Sequence, residues 1–120
     1  MKKVLTTILL SAFLTACIGS QGMKKDKLLQ EKPTLDLITT KTVDEYFQCI
    51  KPFWLHHLGY HEEKRENDIR LSSTPNVNVV RFILDIKKAY KGSNILFYNG
   101  TQTTFALGDV LYPIENCAKY

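Results

Sequence analysis

Apolar residues recur along this chain with three different spacings, and each spacing predicts a different element. Residues 4–13 form a nearly continuous apolar run, broken only by Thr6, Thr7 and Ser11. The run is shorter than the roughly 20 apolar residues a membrane-crossing helix needs. From residue 18 to about residue 40 no period holds. Gly19-Ser20-Gln21-Gly22 has a flexible composition, and Lys24-Lys25-Asp26-Lys27 is a charge cluster. Pro33 separates Leu28 and Leu29 from Leu35, Leu37 and Ile38. This stretch reads as a tether that docks near Leu35 to Ile38.

A helical period begins at Thr42. Thr42-Val43-Asp44-Glu45 matches a capping box, with a threonine oxygen for the orphan amides and a glutamate three residues on. Val43, Tyr46, Phe47, Ile50, Phe53, Trp54, His57 and Leu58 then recur at spacings of three and four, which is one apolar helix face. Cys49 falls at the edge of that face. Pro52 lacks a backbone donor and predicts a kink, and Gly59 predicts the stop.

Residues 61–68 are almost all charged and read as a solvated loop or a frayed helix end. Residues 69–73 are a short strand candidate, and Thr74-Pro75-Asn76 is a turn signal. Residues 77–87 alternate as a strand. Val80, Phe82, Leu84 and Ile86 share the expected core face, and Val79, Arg81, Ile83 and Asp85 share a mixed outer face. Residues 94–98 are a second strand, pairing with the first as an antiparallel hairpin with Gly92-Ser93 at the turn.

Asn99-Gly100-Thr101 reads as a turn, although its form is that of a glycosylation sequon. Residues 101–104 offer N-caps for a last helix. Leu107, Val110, Leu111, Ile114, Cys117 and Ala118 fall on one stripe of it, and Pro113 predicts a kink or a break. The expected fold is α+β: an N-terminal helix, a two- to three-stranded antiparallel sheet, and a C-terminal helix packed on the same face, with the mixed strand face outward.

The first residues add a compartment. Lys2 and Lys3 precede the apolar run, and small residues lead from it into a cysteine, as in a secretory signal. Leu14-Thr15-Ala16-Cys17 resembles the lipobox of bacterial lipoproteins. That resemblance implies a signal peptide over 1–16, a mature chain that begins at Cys17, and acyl chains such as palmitate on that cysteine. It divides the chain into a lipidated cysteine and tether over 17–40 and a domain over 41–120. Ile18, rather than aspartate, follows the cysteine, which in a bacterium with two membranes implies the outer membrane, facing the periplasm. A tether of about 20 residues reaches roughly 25 Å, enough to hold the domain near the membrane without pressing it there. The helix–sheet–helix layout also resembles that of small bacterial lipoproteins, a likeness that carries no activity with it.

Removing 16 of 120 residues leaves 104, with 14 basic and 12 acidic side chains. The mature charge of +2 gives no reason to invoke nucleic acid. With Cys17 assigned to lipid, Cys49 and Cys117 remain, and an even pair in an oxidising compartment points to a disulfide between the two helices. Two free buried thiols are the alternative. A metal site built on both lacks the usual CxxC or Cys-His spacing.

Other chemistry is sparse. His57 and His61 are four apart and could share a metal on a continuous helix, but Gly59 lies between them and the glutamates form no HExxH. No GxSxG and no phosphate-cradling glycine loop is present, and Asp85 and Asp109 look isolated. Tyr46, Phe53, Trp54 and Tyr60 could form an aromatic binding patch, although this spacing more often marks core. No catalytic residue and no cofactor is expected. The expectation is a non-enzymatic interaction module, bound to the membrane through Cys17 and to an envelope protein. The alternatives are an inhibitor or phage-exclusion factor and, further off, an envelope enzyme.

Overall fold

The computed structural model describes residues 22–101 and 107–120. Within them the elements run α1 (Lys25–Leu29), β1 (Leu35–Thr39), α2 (Val43–Trp54), β2 (Tyr60–Lys64), β3 (Asp68–Ser73), β4 (Phe82–Ala89), β5 (Gly92–Asn99) and α3 (Leu107–Lys119). The expected signal peptide over 1–16, Cys17 and the cap candidates at 102–104 lie outside the described residues.

The five strands form one antiparallel sheet in the order β1-β5-β4-β3-β2. The α+β class, the antiparallel β4–β5 hairpin and the two helices on one face are therefore present, but the sheet has five strands where two or three were expected. β1 adds an edge from the supposed tether: Leu35 and Leu37 pair with Phe97 and Ile95, and both pack on the main core. β2 adds the other edge from the supposed charged loop.

β2 is a strand because its alternation is met by polar partners. Tyr60, Glu62 and Lys64 lie opposite Ser73, Leu71 and Ile69 and so share the helix-covered face. Tyr60 donates from its hydroxyl to Glu62 Oε2 at 2.9 Å, and Lys51 Nζ of α2 lies 3.3 Å from the same carboxylate. The ammonium groups of Lys51 and Lys64 sit 5.4 and 5.1 Å from the Phe47 ring centroid. Their aliphatic stems can cover apolar surface while the charged ends reach solvent.

The main core lies between the sheet and α2 with α3. Tyr46, Phe47, Ile50 and Trp54 from α2 and Ile114 and Cys117 from α3 pack on Ile69, Leu71, Phe82, Leu84, Ile86, Ile95 and Phe97. The Tyr46 hydroxyl donates to the Ile114 carbonyl at 2.8 Å, and burial pushes its pKa up. Thr39 Oγ1 donates to the Ala118 carbonyl at 2.8 Å, satisfying an orphan acceptor in the last turn of α3. The capping box at Thr42 is formed, with Glu45 N and Thr42 N each 3.1 Å from its partner oxygen.

α2 ends at Trp54, five residues before Gly59. Gly59 instead makes the turn into β2 at φ +67°, and a Cβ there would run into the Thr74 carbonyl. His57 and Leu58 therefore lie beyond the helix, and Leu58 is exposed, as is Phe53. α2 continues past Pro52 and α3 continues through Pro113, so neither proline breaks its helix. The β4–β5 turn is Tyr90-Lys91, with Ala89 opposite Gly92. The Asn99-Gly100-Thr101 turn is closed by Asn99 Oδ1, which accepts from Thr101 N at 3.0 Å and Oγ1 at 2.6 Å.

The mixed strand face is not open. Ile83 is fully buried and Asp85 nearly so. Met23 and Leu28 cover this face, forming a second apolar cluster with Val80, Ile83 and Tyr98. Val80 thus belongs to this cluster rather than to the face of Phe82, Leu84 and Ile86, because it precedes β4 and lies outside the strand's alternation. Met23 and Val80 form an antiparallel bridge. The fold begins by Met23, so the boundary at residue 40 falls inside it.

Candidate functional site

The hairpin tips and the start of α2 converge at one end of the sheet. The β2–β3 tip is held by Arg65 N donating to Asp68 O at 2.9 Å, and Lys88 N donates to Asn67 O at 3.0 Å beside it. Ser93 Oγ donates to Lys41 O at 2.8 Å, tying the start of β5 to the β1–α2 loop. Gly92 allows the close approach at φ +132°, since a Cβ there would meet the Thr39 carbonyl.

Between these segments lies an open cleft of about 480 Å³. Lys64, Arg65 and Lys88 bring positive charge to its walls, and Asp44, Glu66 and Asp68 bring negative charge. Val43, Ile69 and Ala89 supply apolar floor. Tyr90 stands almost fully exposed at the tip, with Lys91 Nζ 5.8 Å from its ring centroid. Arg65 is held on one wall by Glu63 at 2.6 Å and Asp68 at 3.7 Å. The first amides of α2 face their own cap: Glu45, whose pKa is lowered by its bonds to Thr42, closes the box. A mixed rim with an exposed tyrosine suits a protein surface better than a lone anion.

The residues singled out in the sequence lie elsewhere. Cys49 and Cys117 form a disulfide between α2 and α3, with Cα atoms 5.8 Å apart. His57 sits in the turn after α2, 4.9 Å edge-on from Trp54 and 5.5 Å from Phe82. Burial lowers its pKa, helped by the charges of Arg81 and His56. His61 sits on β2, so the two histidines do not occupy successive turns of one helix. Among the described residues no group of three or more His, Cys, Asp or Glu side chains is placed to hold a metal.

Of the four aromatics that could have formed a patch, Tyr46 and Trp54 are buried and Tyr60 packs against the core. Asp85, which looked isolated, has a partner. Arg70 Nε and Nη2 reach its two oxygens at 2.7 and 3.0 Å, and this bidentate bond raises the arginine's pKa further. The pair bridges β3 and β4, where Arg70 and Asp85 are directly opposite. The pair stands on the cross-strand register, which the sequence alone does not supply.

The sequence marked Thr42, Val43 and Asp44 as a helix start and Gly92 as a turn, but nothing in it marked these residues as one site, because the cleft is assembled from three segments that are distant along the chain. Compared with known proteins, the chain matches no family model, no curated relative and no solved structure.

Proposed function

We propose that this chain is a lipid-anchored envelope lipoprotein that binds a protein partner in the cleft between its hairpin tips. The observation that carries the reading is the cleft itself. It lies at the Ala89–Gly92 end of the sheet, whereas the chain enters the fold at Met23, beside Val80 at the other end. A chain anchored through Cys17 would then present the cleft away from the membrane. Charges of both signs and an exposed Tyr90 favour a partner of mixed polarity. The role we assign is binding, which the mixed charge of the walls and the exposed Tyr90 support. Retention at the outer membrane follows from Ile18 after the lipidated cysteine.

The test combines three measurements on the full chain in a bacterial host. Uptake of a clickable fatty acid, abolished by Cys17→Ser, reports the anchor, and an unlabelled chain removes it. Separation of inner from outer membranes reports the address, and recovery with the inner membrane contradicts it. A photo-crosslinking amino acid at Tyr90 should capture one envelope protein at near-stoichiometric yield, with capture weakened by Lys88→Glu. A captured lytic enzyme or phage protein makes the chain an inhibitor. Equal capture from a site far from the cleft sinks the binding reading.

A further inference from the structure

The end of the fold where the chain enters has a composition of its own. α2 finishes there, β2 and β4 begin there, and the 74–81 connection closes it. Phe53, Leu55, Leu58 and Val77 are all at least half exposed at this end, and Val77 is completely so. Neither 53–60 nor 73–81 contains a single carboxylate, while Arg81 and two histidines lie within them. The opposite end carries Asp44, Glu66 and Asp68. Apolar tips with basic neighbours, and no acid within the two segments that carry them, are the composition of a surface that rests in a lipid headgroup layer.

The chain outside the described fold says how near that layer is. Met23 N donates to Val80 O at 3.1 Å, and Val80 N donates to Met23 O at 2.7 Å. Five residues, 18–22, separate Met23 from Cys17. Six peptide units span at most about 20 Å when fully extended. The interfacial layer of each leaflet takes up roughly 5–8 Å of that. Met23 is then held within about 15 Å of the headgroup surface, and Val77 is three residues from Val80. At such a tether length the local concentration of bilayer is high, so weak apolar contacts suffice to orient the domain.

We infer that Phe53, Leu55, Leu58 and Val77 form a membrane-facing surface that seats this end of the domain in the headgroup layer, with Arg81 beside lipid phosphates. The inference rests on the anchor at Cys17 and adds the orientation.

The experiment uses full-length lipidated chain reconstituted into phosphatidylcholine–phosphatidylglycerol vesicles, with and without bromine high on the acyl chains. Val77→Trp should lose emission in the brominated vesicles beyond the wild-type background of Trp54, and Tyr90→Trp at the far end should not. Flotation of the same samples reads the anchor separately. Chain that fails to float removes the anchor, and the surface with it. Chain that floats with neither variant quenched, or with both quenched alike, overturns the surface and leaves the anchor standing. Val77→Trp shielded from aqueous iodide yet unquenched by bromine would assign the surface to a second copy and overturn the inference as well.

Discussion

Met23 and Val80 exchange both backbone hydrogen bonds, at 3.1 and 2.7 Å, although 56 residues lie between them. This bridge fixes the entry of the chain against the 74–81 connection. It also lays α1 over the second face of the sheet, where Leu28 is 1% exposed against Val80, Ile83 and Tyr98.

Leu28→Ala should therefore destabilise the domain, by about 2–4 kcal/mol for a buried leucine. Urea unfolding of the full chain gives the value. A flexible tether at this position would leave the midpoint unchanged, so an unchanged midpoint would return the segment to the tether.

The helix–sheet–helix core was legible because its signals are periodic. The Thr42 capping box, the stripe from Tyr46 to Trp54 and the alternation in β4 each repeat often enough to outweigh single exceptions. The two edge strands were not legible, for opposite reasons. β1 offers only Leu35 and Leu37 inward, next to Pro33 and an exposed Ile38. β2 presents Glu62 and Lys64 on its inner side, and only the three-dimensional arrangement supplies Lys51, Tyr60 and Phe47 as their partners. Missing α1 made the face of Ile83 and Asp85 look solvent-exposed. The cysteine pair was legible from parity and from the oxidising compartment that the lipobox resemblance implies, whereas the cleft has no local signal.

The Cys49–Cys117 disulfide closes a span of 68 residues. In the chain-entropy model a loop of that length contributes roughly 4 kcal/mol. Cys49→Ser should lower the melting temperature clearly, and the double serine variant should cost little more than either single one. Additive losses would mean that the sulfurs contribute separately, by packing rather than by the bond. Mass spectrometry after alkylation without reductant should find neither thiol free.

Arg70 and Asp85 form an ion pair beneath the second face, with side chains 14% and 4% exposed. Removing one partner leaves a desolvated charge, which costs about 3–5 kcal/mol. Arg70→Met and Asp85→Leu should each destabilise on that scale, and the double variant should recover much of the loss. A double-mutant cycle by denaturant unfolding measures the coupling, and a coupling near zero would show that the pair is solvated.

His57 should make stability fall as the medium becomes mildly acidic. Its ring packs on Trp54 and Phe82 and is partly buried. Burial, and then the charges of Arg81 and His56, hold its folded pKa below 6.5. In the unfolded chain the ring returns to about 6.5. Between those two values the unfolded state binds more protons, so stability rises with pH. The domain is then most stable, as far as this group is concerned, above pH 6.5. It loses stability as pH falls from there, and the loss levels off below the folded value. Glu45, Glu62 and Glu63 have folded pKa values below 4.5, so they stay ionised across this window and leave the slope to histidine. Urea midpoints taken from about pH 7.5 down to about pH 5.5 bracket the histidine window. The wild type should decline over that range, and His57→Gln should decline less. Arg81→Gln should make the decline smaller and end it at higher pH, because removing one of the charges that disfavours the protonated ring raises the folded pKa toward the unfolded value. Parallel declines in wild type and His57→Gln would place the titrating group elsewhere.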